Sequence, residues 1–136
     1  MWPFLWASSI FATSCTVVGR APFVKSVGHR LPVQNATVRF DHFWDGYWWL
    51  FVKGWHATEY AILFALIRWA WPLKQSALSF LGPLAICTAY AATDEFHQTF
   101  VPLRGGNVRD VLIDTSGAVV AAGISYLAQR RKMATD

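Results

Sequence analysis

Three short clusters hold most of the residues able to do chemistry. Lys53, His56, Glu59 and Tyr60 form the first, Asp94, Glu95, His97 and Gln98 the second, and Arg109, Asp110 and Asp114 the third, with Arg104 between the last two. Side chains three, four and seven apart share a helix face. Lys53, His56 and Tyr60 therefore make one stripe, Asp94, His97 and Gln98 another, and Asp110, Asp114 and Gly117 a third. Glu59 and Glu95 sit off these stripes, each on a flank or beside a neighbour. An imidazole near a carboxylate supplies acid and base chemistry, whereas cations, acids and an amide together recognise anionic groups and hydroxyls. His56-x-x-Glu59 and Asp94-Glu95-x-His97 contain metal-ligand types, but neither has the HExxH spacing, so no metal is assigned. No Gly-x-Ser-x-Gly, P-loop or dinucleotide fingerprint occurs, so nucleophilic serine chemistry lacks support and no cofactor is expected.

The elements that carry these clusters are unusually apolar. Of 136 residues, 54% are hydrophobic, 16% aromatic and 15% charged, where a soluble domain carries about a quarter charged residues. Eight tryptophans and ten phenylalanines also suit a membrane interface. The net charge of +4 is too scattered for nucleic acid and fits a protein beside anionic lipid. Four helices of about 20 residues each would use about 80 residues, which the chain accommodates.

The predicted fold is all-α: a multi-pass membrane protein with four transmembrane helices and a polar cluster at the outer face. Residues 1–19 are the first and weakest span, a possible signal anchor, interrupted by Ser8, Ser9, Thr13 and Ser14 but lacking the basic start of a cleaved signal. Residues 20–46, with Pro22, Pro32 and dispersed charges, read as an extracytoplasmic loop. Residues 47–128 hold three further spans. The second is bracketed by tryptophans and ended by Pro72, the third contains Gly82-Pro83, and the fourth is rich in small residues. Pro102 and Gly105-Gly106 mark a turn between the last two. Residues 129–136, with Arg130, Arg131 and Lys132, are a basic tail that puts both termini in the cytoplasm. The charges Arg20, Lys25, Arg30 and Arg39 on the outer loop run against that orientation. Cys15 and Cys87 lie in apolar stretches without a pairing or zinc pattern.

A charge in hydrocarbon costs several kcal/mol and usually serves a function. Singly, each has a plainer explanation: Lys53 can snorkel to the headgroups, Asp110 can answer a helix dipole, and a lone His56 can be a packing residue. Together they fall at one level of three spans. If those spans share a cavity, Lys53 or His56 should approach Asp94, Glu95, Asp110 or Asp114 to about 3 to 6 Å.

The run Asp94-Glu95-Phe96-His97-Gln98-Thr99-Phe100-Val101-Pro102-Leu103-Arg104, followed by Asp110-Val111 and Gly117, resembles the signature of the VanZ-like membrane proteins. Lys53-x-x-His56-x-x-x-Tyr60 is similar to that family's upstream element. The sequence departs from the pattern at Leu103, where glycine is common, and at Asp114, where asparagine is more usual. The resemblance implies a multi-pass protein of the bacterial inner membrane, in a family named for a member linked to teicoplanin resistance. Three functions are open. A binding protein would use Lys53, Glu59, Tyr60, Gln98, Arg104, Asp110 and Asp114 to hold a membrane lipid or lipid-linked envelope precursor. A headgroup hydrolase or transferase would use His56, Asp94, Glu95 and His97 catalytically. A scaffold would join a membrane protein partner through the small-residue face at Gly117 and Ala121.

Overall fold

The computed structural model describes residues 1–15, 36–72, 76–102 and 104–135. They form α1 (Trp2–Ser14), α2 (Ala36–Ala70), α3 (Leu78–Gln98) and α4 (Val108–Thr135), with no strand among the described residues. Arg20, Lys25, Arg30, Lys74 and Leu103 lie outside the described residues.

Two segments are long and apolar enough to cross a membrane: Gly46–Ala70 within α2 and Val108–Ala134 within α4. The 21-residue α3 has the length of a span, and Asp94, Glu95 and Gln98 at its end lower its hydropathy. The 13-residue α1 rises about 20 Å, short of a hydrocarbon core of about 30 Å. Two boundaries differ from the sequence reading. Residues 36–46, assigned to a loop, continue α2 back to Ala36, because no proline follows Pro32 there and the dispersed charges hide the apolar face without breaking a helix. The basic tail is likewise helical as far as Thr135.

α2 and α4 pack along each other most extensively, α3 packs on both, and α1 lies against α2 and α3. Gly117 on α4 is buried, and a Cβ there would run into the backbone of Ala57 on α2. That close approach sets the spacing of the two long helices and places Gly117 inside the bundle. The core is small: Ile10, Tyr60, Leu63, Phe64, Cys87, Ala91 and Ala118 are buried. Polarity is partly inverted relative to a soluble protein. Glu59, Asp94, Glu95, Gln98 and Asp114 are buried while Trp55, Leu81, Leu112, Val120 and Ile124 are exposed, as suits helices whose outer faces meet lipid. Cys15 is exposed, Cys87 buried, and both are free thiols.

Candidate functional site

The buried carboxylates Glu59, Asp94, Glu95 and Asp114 lie toward one end of the bundle, where α2 starts its apolar stretch, α3 ends and α4 begins. α4 starts there because Asn107 caps it, its Oδ1 accepting the Arg109 N–H at 3.0 Å. The Asn107 N–H in turn donates to Glu95 Oε2 at 2.9 Å. Gly106 makes this possible, since a Cβ there would meet the Glu95 carbonyl and the Thr99 methyl. One short segment thus starts α4 and ties it to the end of α3.

Between α2 and α4, Lys53 Nζ lies 2.5 Å from Asp110 Oδ1, both side chains about one-fifth exposed (20% and 24%). One turn deeper, His56 Nδ1 stands 3.8 Å from Glu59 Oε2 and 3.9 Å from Asp114 Oδ1. Those separations exceed a hydrogen bond of about 3 Å. The imidazole is flanked by two carboxylates without being bonded to either. Asp114 is 1% exposed, and neither of its oxygens has a hydrogen-bond partner. Gly117 lies three residues beyond Asp114 on the same face, so the contact with Ala57 brings Asp114 up to the neighbouring His56.

Between α1 and α3, Asp94 Oδ2 accepts from Ser14 Oγ at 2.7 Å and from Gln98 Nε2 at 3.0 Å, while its other oxygen has no partner. His97 turns its ring to Phe11, centroid to centroid 4.6 Å, and its Nδ1 is buried without a hydrogen bond. Glu59 joins the two halves: Thr13 Oγ1 donates to its Oε1 at 3.4 Å, and its Oε2 faces His56. Trp6 Nε1 donates to the Glu59 carbonyl at 2.9 Å. Tyr60 is fully buried, its hydroxyl unbonded and its ring 6.2 Å from that of Tyr90. Arg104 sits in the turn between α3 and α4, its backbone N–H donating to the Val101 carbonyl at 3.1 Å. Among the described residues no group of three or more His, Cys, Asp or Glu is arranged to hold a metal ion.

The residues singled out in the sequence thus fall into two neighbouring subsites. Lys53, His56, Asp110 and Asp114 meet directly across α2 and α4. Asp94, His97 and Gln98 instead turn to α1, and Glu95 is held by the turn. Sequence reasoning missed the α1 donors. Trp6, Ile10, Thr13 and Ser14 recur at helical spacing on one face, a signal that was present but reads there as a defect in an apolar span.

A family model described as VanZ/LLP1 matches residues 4–129, nearly the whole chain. The chain belongs to the VanZ/LLP1 family. No curated protein and no solved structure matches it. Family membership and two apolar helices together support a VanZ-like membrane protein. Within this VanZ/LLP1 protein, Lys53, His56, Tyr60, Asp94, Glu95, Gln98 and Asp110 sit at the acidic end of the bundle, with Gly117 holding α4 against α2. Phe96 and Phe100 are exposed and pack edge to face at 5.2 Å, an apolar rim beside that end.

The arrangement leaves both acceptors and possible donors unsatisfied, the Tyr60 hydroxyl and the Nδ1 atoms of His56 and His97 among the latter. Glu59, Asp94 and Asp114 hold buried oxygens without partners, and each such atom costs about 1 to 3 kcal/mol until a donor reaches it. Lys53 and Arg104 add positive charge beside those acceptors.

Proposed function

We propose that this VanZ/LLP1 protein is a multi-pass protein of the bacterial cytoplasmic membrane that binds a polar or lipid-linked envelope component in an outward-facing cavity at its acidic end. The observation that carries this reading is the set of buried, unpartnered acceptor atoms on Glu59, Asp94 and Asp114. A ligand rich in hydroxyl, amide or ammonium groups would satisfy them, while Lys53 and Arg104 would meet its anionic part and Tyr60, Gln98 and Asp110 would orient it. The Phe96 and Phe100 rim suits an acyl or prenyl chain attached to such a headgroup. Any role in teicoplanin tolerance would rest on this binding.

The basic cluster in the last turns of α4 supports a cytoplasmic C-terminus and four crossings with both termini inside. α1 is the shortest crossing and needs local thinning of the bilayer. A cysteine at Gly106 should react with a membrane-impermeant reagent from outside, and one at Ala134 should not. The opposite pattern would turn the acidic end to the cytoplasm. Reaction of a cysteine near Met1 from outside would leave three crossings.

The binding test is mass spectrometry of lipids that co-purify with the protein. A specific polar lipid should be retained by the native protein and lost in His97→Ala and Arg104→Ala, with membrane insertion and expression nearly unchanged. Loss of folded protein in both variants would instead make these residues part of a structural ion network. A second reading is a headgroup hydrolase or transferase, favoured by the imidazole of His56 flanked by Glu59 and Asp114, a geometry in which a carboxylate can orient a base. Turnover of the retained lipid by purified protein, abolished by His56→Ala, would select it.

A further inference from the structure

One cavity lies away from the acidic end. It is a groove of about 740 Å³ between α3 and α4, lined mainly by Phe80, Leu84, Val119, Gly123 and Tyr126, with Arg130 at its mouth. Its volume falls in the range of small-ligand sites. From the geometry we infer that this groove binds a phospholipid with an acidic headgroup, its acyl part lying along α3 and α4 and its phosphate at Arg130. The inference rests on the membrane reading of the chain and not on the ligand proposed for the acidic end.

Three observations carry it. From Val119 to Arg130 α4 rises about 16 Å, which is one leaflet of a hydrocarbon core about 30 Å thick. The apolar floor and the cationic mouth are therefore separated as a lipid's tail and headgroup are. Second, Gly123 leaves the floor open, with nothing within 4 Å of where a Cβ would stand. Third, the mouth carries a cation: Arg130 lines the groove and lies over the Tyr126 ring at 5.4 Å. Tyr126 has the amphipathic ring found at headgroup level. Charge selects the class, because each basic residue near a membrane surface favours an anionic lipid by about 1 kcal/mol, or about fivefold.

Native mass spectrometry of the full chain in detergent, with phosphatidylglycerol or phosphatidylcholine added, tests the assignment. Phosphatidylglycerol should bind at least fivefold better, and Arg130→Gln should reduce that preference about fivefold while the chain still binds lipid. Gly123→Leu and, independently, Val119→Phe should fill the groove and remove binding of both lipids without lowering the thermal midpoint. Equal binding of the two lipids by the native chain, or full binding by both groove-filling variants, would overturn it. So would a change of oligomeric state in those variants with lipid binding intact, which would assign the groove to a second copy of the chain.

Discussion

The two ends of the bundle use charge in opposite ways. At the acidic end carboxylates are buried, opposite charges face each other across helices, and several acceptor atoms have no partner. At the basic end Arg68 bonds to the neutral amide of Gln129 at 2.7 Å and lies 4.2 Å over the Phe80 ring, while Arg130 remains exposed over Tyr126. A long cation at a helix end can keep its stem in apolar surroundings and its head in the headgroup layer, which is how Arg130 stays exposed. A short carboxylate inside a bundle has no such escape. Buried acids therefore mark the end that bears the cost of desolvated charge, and Arg130 marks the end where a cation stays exposed.

The contrast breaks most readily at Gly117. Substitution by leucine should push α4 off Ala57, costing about 3 kcal/mol and lowering the thermal midpoint in detergent, whereas Gly123→Leu at the open groove should leave the midpoint unchanged. Equal tolerance at both glycines would mean that the close approach of α2 and α4 is not what positions the acidic end. Asp94→Ala comes next. It leaves Ser14 Oγ and Gln98 Nε2 buried without their acceptor, so a loss of about 2 kcal/mol is expected, and Ser14→Ala should recover little further loss when added to it.

A smaller effect is expected from Lys53 and Asp110, which are partly exposed. A double-mutant cycle of Lys53→Met and Asp110→Asn should give a coupling of about 1 kcal/mol that weakens with added salt; a coupling of zero would make Lys53 a snorkelling residue like those of the opposite end. The smallest effect belongs to Arg130→Gln, whose stability should stay within about 0.5 kcal/mol of the native chain. A larger loss would show that the basic end is also structural.

Residue types and helical spacing make the all-helical character, the apolar segments within α2 and α4, and the stripes of Lys53 with His56 and Asp110 with Asp114 legible in the chain, because those features depend on positions a few residues apart. Pro72 and the Pro102 to Gly106 turn likewise declare their own interruptions. Pairing across helices is different. Whether Asp94 meets Lys53 or Ser14 depends on the rotation of α3 about its axis, which is set by the Asn107 link to Glu95 and by the packing of α1, contacts between residues far apart in the chain. The same is true of His97, which shares a stripe with Asp94 yet ends against Phe11. The start of α2 at Ala36 was hidden because charges on a helix that extends past the apolar segment look like those of a loop. The groove between α3 and α4 was hidden because an empty space is a property of two surfaces, and Gly123 alone has the same appearance whether a neighbour fills it, as Ala57 does at Gly117, or leaves it open.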